Sequence, residues 1–145
     1  MDGVVTVDVI VLVGRVLFSL LFFSSAVGHF TQTAGMSGYA KTKGVPAAQF
    51  AVLAGGVLLA FGAVSILLGL WADLGALALA VFLVPTALMM HAFWRDTDPA
   101  ARQNETIQFF KDFALAGAAL MLFAFFAHVG DDLGLTLTGP LFDLS

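Results

Sequence analysis

Five side chains have the type and spacing to do chemistry: Arg15, His29, His91, Trp94 and Lys111. Each falls within or at the edge of a long apolar run. An ionisable group at membrane depth costs at least about 2.5–3.5 kcal/mol on insertion scales, so each needs a reason to be there. Arg15 lies two turns inside the first run, within reach of Asp8, Asp73 or Ser65 by snorkelling. One reading is a structural arginine pinning the first helix to the second. The other is a cationic contact to a lipid phosphate or a quinone oxygen. Arg15 and His29 are fourteen residues apart, within about 40° of one helical face, so both can point into a bundle.

Antiparallel threading brings His29, His91, Lys111 and Asp112 to one depth, with Trp94, Glu105 and Gln108 at the same level. Three readings of this cluster stay open. It can be interfacial anchoring, since Trp, His and Lys favour the headgroup level. It can be a polar pocket beneath an apolar vestibule, with His91 and Lys111 donating to the carbonyls of a quinone-like ligand and Arg15 orienting a polar head. It can be a metal site, although no helix offers two His at i, i+4 and Asp112 suits Lys111 or Arg95 as an ion partner. His128 reads as an interface residue. No nucleophile–base pair is visible, so no autonomous catalysis is expected.

The elements that must position these groups are apolar helices. The chain has 145 residues, 60% of them apolar and 11% charged, with a mean hydropathy of +0.99. A soluble domain of this size lacks the interior to hide that surface. A span needs about 20 apolar residues. Residues 7–30, 47–71, 73–94 and 107–128 qualify, followed by an acidic tail at 130–145. The expected fold is all-α: one integral membrane domain, a four-helix antiparallel bundle. The first run lacks a basic leader and a clear cleavage site and reads as a retained helix. There is no cysteine, which excludes a thiol relay within this chain. Nothing resembles a nucleic-acid patch.

Lys41 and Lys43 lie in the first link. Arg95 and Arg102 lie in the third, with Lys111 just beyond. The positive-inside rule puts these links in the cytoplasm and both termini outside. Pro46 suits the first turn of the second helix, and Ala72-Asp73 forms the second link. Gly55, Gly62 and Gly69 recur at seven residues and drift by only about 20° per step, a flat stripe for close helix packing. Pro85 interrupts the third helix, and Thr86 is placed to satisfy the freed carbonyl. The fifteen Phe read as filler and lipid-facing contacts.

These landmarks have a familiar order. Gly14-Arg15 and Gly28-His29 mark the first helix. Tyr39 and Gly44-Val45-Pro46 precede the second, which carries Gly62 and Gly69. The run Pro85-Thr86-Ala87-Leu88-Met89-Met90-His91-Ala92-Phe93-Trp94 follows, then Arg102-Gln103-Asn104-Glu105 and Phe109-Phe110-Lys111-Asp112. In this order the chain resembles the DoxX family of small four-helix bacterial membrane proteins. It departs from the family in having Leu59 where many relatives carry Glu, and Asp112 where an F-x-K-N element has Asn.

The resemblance implies redox service in a bacterial plasma membrane. Relatives include a membrane subunit of a thiosulfate:quinone oxidoreductase and members linked to a superoxide dismutase and a rhodanese-like sulfurtransferase. Distant relatives act in membrane assembly or trafficking. The leading expectation is an accessory membrane subunit that anchors a soluble oxidoreductase or sulfurtransferase and holds a quinone-like ligand. Its partners would be lipid, the soluble protein and further copies of itself. The alternative is a non-enzymatic scaffold or assembly factor working through its glycine stripes. A third reading, a small transporter, has against it that only one span is interrupted by proline.

Overall fold

The computed structural model describes the backbone of residues 2–144 and the side chains of residues 6–144. It is all-helical, with no strand among the described residues. Helix α1 covers Asp2–Thr31, α2 Thr33–Thr42, α3 Ala48–Leu68, α4 Ala72–Met90 and α5 Pro99–Val129. Short 3₁₀ turns follow at Phe93–Arg95 and Gly130–Asp132. The four long helices have the length and composition to cross a membrane. α1 packs on α3, α3 on α4 and α4 on α5, while α2 lies chiefly over α3. Among the described residues, the ends of that row, α1 and α5, have little close backbone packing on each other.

Several boundaries differ from the sequence expectation, each for a local reason. The first link is mostly the helix α2, bounded by Gln32 and Lys43. α3 stops at Leu68 because Gly69 adopts the left-handed conformation, φ 62°, and its N–H turns back to the Ile66 carbonyl. The link between α3 and α4 is therefore Gly69–Trp71, and Ala72 and Asp73 lie in the first turn of α4. Pro46 sits one residue ahead of the helix cap at Ala47. α5 starts eight residues earlier than the hydropathy suggests. Asp98 caps it by accepting from the Ala101 N–H at 2.8 Å, and Pro99 opens the first turn.

The core is built from small residues at the crossings and larger ones between them. Ala63, Ile66, Ala76, Leu79, Ala119 and Phe22 are fully or almost fully buried. Gly55 and Gly62 of α3 serve the α3–α4 contact, while Gly56 faces His29 and Phe30 of α1. A Cβ at Gly62 would overlap Leu79 and approach the Gly75 carbonyl to 3.0 Å; one at Gly55 would meet Phe82 at 2.7 Å. These glycines let the helices approach closely where lipid supplies little drive for association.

The tail folds back as a strap across the helix ends. Leu137 and Thr138 donate to the Gly69 carbonyl at 3.1 and 3.0 Å, and the Thr138 hydroxyl accepts from Trp71 N–H at 2.9 Å. Leu141 and Phe142 donate to one oxygen of Asp73 at 2.7 and 2.8 Å. Gly134 donates to Asp8 at 3.1 Å.

Candidate functional site

Arg15 is only 3% exposed, and its hydrogen bonds among the described residues go to backbone carbonyls. Its Nε donates to the Ile66 carbonyl at 2.7 Å, Nη2 to Leu67 at 2.6 Å and Nη1 to Leu135 of the tail at 2.7 Å. The first two are carbonyls of the last turn of α3, where the helix dipole is negative. The guanidinium thus ties α1, α3 and the tail together at one point. The candidate partners differ from the expectation: Asp8 and Asp73 are taken by tail N–H groups, and Ser65 donates to the Leu70 carbonyl at 2.6 Å.

The opposite end holds a polar network. His91 follows α4 directly, and its Nδ1 lies 2.6 Å from Glu105 Oε2 on α5. Its Nε2 lies 3.6 Å from Asp112 Oδ2, two turns further along α5. Glu105 also accepts from the Tyr39 hydroxyl of α2 at 2.8 Å and pairs with Lys43 at 3.5 Å. Lys43 stands 3.9 Å from Asp96. Lys111 pairs with Asp112 at 3.7 Å and with Gln108, its ammonium half exposed. Three segments therefore meet at one carboxylate: α5 itself, the end of α4, and α2 with its cap residue Lys43. Burial, then the Glu105 carboxylate, pushes the Tyr39 hydroxyl above its usual value. Burial alone would lower Lys43, but Tyr39, Glu105 and Asp96 outweigh it and raise the ammonium. Among the described residues no three His, Asp or Glu side chains form a metal-binding group.

His29, at the end of α1, stands apart from this network. Its Nδ1 lies 2.8 Å from the Ser25 carbonyl of its own helix, and its ring meets Phe82 edge-on at 5.7 Å. The ring borders two cavities. The larger, of about 330 Å³, lies beneath α2 between α3 and α4. Its wall is almost wholly apolar, formed by residues such as Met36, Val52, Leu58, Pro85 and Met89, with side-chain polar atoms only at His29, Tyr39 and Thr86. The smaller, of about 150 Å³, fills the gap between α1 and α5 and joins His29 to His91, Lys111 and Asp112. Leu59 of α3 lines it as well.

Of the five residues singled out by sequence, the fold brings His29, His91 and Lys111 around the smaller cavity. Arg15 lies at the other end. Trp94 joins an aromatic group with Phe93 and Phe109, at 5.1 and 5.7 Å between ring centroids. His91 and Lys111 already face protein acceptors, whereas His29 Nε2 has no hydrogen-bond partner among the described residues. Sequence reasoning gave Tyr39 no role in the cluster and left Glu105 at its margin. Tyr39 is the chain's single tyrosine, yet only the folding of α2 over α3 carries its hydroxyl to Glu105.

The DoxX family model matches residues 10–92, from α1 through the end of α4 and His91. The chain belongs to the DoxX family. It is also 32% identical over 116 residues to the inner membrane protein YqjF of Escherichia coli (strain K12), covering 79% of this chain and 82% of that one. No solved structure matches the chain. The matched DoxX region contains Arg15, His29, Tyr39, the lining of the larger cavity and His91. Glu105, Lys111 and Asp112 of α5 lie beyond it. The family assignment and the four long apolar helices together describe a multi-pass DoxX membrane protein in a lipid environment.

Proposed function

We propose that this DoxX protein is an accessory membrane subunit of a redox or detoxification system. It holds a quinone-like ligand in the cavity beneath α2 and anchors a soluble oxidoreductase or sulfurtransferase beside it. The observation that carries this reading is the larger cavity. Its 330 Å³ falls within the usual range for small-molecule sites, and an apolar wall with a few polar atoms is the form such sites take. The Tyr39–Glu105–His91 network closes the same end of the molecule, where a soluble partner would meet the ligand.

Five of the six basic residues lie in or just beyond the links at that end, which supports a cytoplasmic position for it and an outer position for both termini. The similarity to an inner membrane protein supports a bacterial plasma membrane. A scaffold working through the α3 glycines loses its surface, because Leu79 and Phe82 of this same chain occupy the positions facing Gly62 and Gly55.

The test is isolation from native membranes in mild detergent, with mass spectrometry of everything retained. A stoichiometric quinone, together with a soluble oxidoreductase or sulfurtransferase, is the expected result. Bulk phospholipid and unrelated membrane helices alone would overturn the reading.

A further inference from the structure

We infer that the cavity beneath α2 selects a lipophilic ring bearing hydroxyl groups, the reduced quinol in preference to the oxidised quinone. This rests on the quinone-like reading above and specifies which form of the ligand the site takes. The argument is a tally of hydrogens at the cavity wall.

Three side chains that line the cavity carry polar atoms other than sulfur, and each has a hydrogen committed elsewhere. His29 Nδ1 faces the Ser25 carbonyl at 2.8 Å. A carbonyl only accepts, so in the neutral ring Nδ1 carries the hydrogen and Nε2 keeps a lone pair. The Tyr39 hydroxyl donates to Glu105 Oε1 at 2.8 Å. The Thr86 hydroxyl donates to the Phe82 carbonyl at 2.8 Å. A hydroxyl has one hydrogen, so neither oxygen has another to donate. Backbone chemistry adds to this pattern. Pro85 has no N–H, so the Val81 carbonyl one turn earlier loses its helical donor, and Val81 lines the cavity. The sequence expectation that Thr86 would satisfy that carbonyl is not met, because Thr86 bonds Phe82 instead. Met36, Met89 and Met90 add thioether sulfurs, which are weak acceptors.

With His29 neutral, the lining side chains therefore have no uncommitted N–H or O–H to offer and keep lone pairs. A quinone ring presents two carbonyl oxygens, which would oppose these lone pairs without a hydrogen between them. A quinol presents two O–H groups that fit them. A site built for a hydroxyl rejects the analogue lacking it because its own polar atoms are left unpaired.

The experiment uses the full-length protein in phosphatidylcholine nanodiscs, anaerobically at pH 8. Decylubiquinol and decylubiquinone are measured side by side against empty discs. The quinol is expected to bind about tenfold tighter, which raises the midpoint potential of the bound couple by about 30 mV. In His29→Gln, whose amide offers both a donor and an acceptor, the preference falls toward one. Thr86→Val keeps the side-chain shape, removes one acceptor and lowers the preference independently. Equal affinity for the two forms, or tighter quinone binding, would overturn the inference and leave the quinone-like reading standing. Binding of neither form would overturn that reading. An unchanged preference in both folded variants also overturns the inference.

Discussion

At the scale of single residues, the sharpest feature is how few hydrogens are left uncommitted. Tyr39 is the clearest case. Its hydroxyl sits 2.8 Å from Glu105, and burial followed by that carboxylate holds its proton more tightly than the usual value of 10.0. A proton held more tightly in the fold than in the unfolded chain stabilises the fold below pH 10, and that contribution disappears as pH rises through the folded value. Because Tyr39 is the single tyrosine, its ultraviolet titration reads one group. The expected midpoint lies above 10 and moves down in Glu105→Gln, since the carboxylate is replaced by a neutral amide. A midpoint unchanged by that substitution would mean that the Tyr39–Glu105 bond does not form. Arg15 illustrates the opposite use of a polar group. Its three bonds go to carbonyls at a helix end and the tail, so its position follows from backbone acceptors, and it lines neither cavity.

At the scale of elements, the four long helices pack through small residues, and the direction each glycine faces decides its value. Gly62 abuts buried Leu79 and the backbone of Gly75, whereas a Cβ at Gly117 on α5 would meet nothing within 4 Å. Gly62→Ala is expected to destabilise the protein by about 1–3 kcal/mol through overpacking. Gly117→Ala is expected to be neutral or to stabilise by up to about 1 kcal/mol, because it removes a flexible residue from a helix interior. Unfolding in mixed micelles with increasing dodecyl sulfate compares the two directly; equal effects would contradict the α3–α4 crossing described here. The same scale accounts for α2. Its residues Thr33–Thr42 are too few and too polar to cross a membrane, so hydropathy treats them as a link. They fold as a helix because α3 offers a surface for Ala40 and Met36, which pack with Val52 and Met90.

At the scale of the whole molecule, the two ends do different work. Arg15, Asp8, Asp73 and the tail lock one end, while His91, Glu105, Lys43 and Tyr39 gather at the other beside the cavity. The absence of cysteine makes the orientation directly measurable. Single cysteines placed at Gln103 and at Asp131 should react oppositely with a membrane-impermeant maleimide in intact cells, with Asp131→Cys labelled and Gln103→Cys protected. The reverse pattern would invert the topology and move the polar network to the outer face. The sequence by itself determined that the chain is helical, that it has four membrane-length helices and that it has DoxX character, because hydrophobic length and ordered landmarks are local properties. It also brought His91, Lys111 and Asp112 to one depth, since antiparallel threading fixes height along the bundle. Height does not fix azimuth or rotamer. Only the tertiary structure decided that His91 turns to Glu105, that Trp94 turns away to Phe109, and that Tyr39 reaches the network from a helix hydropathy does not register. The cavity and the strap belong to the same class: both are made by residues distant in sequence whose juxtaposition depends on packing, which no local pattern encodes.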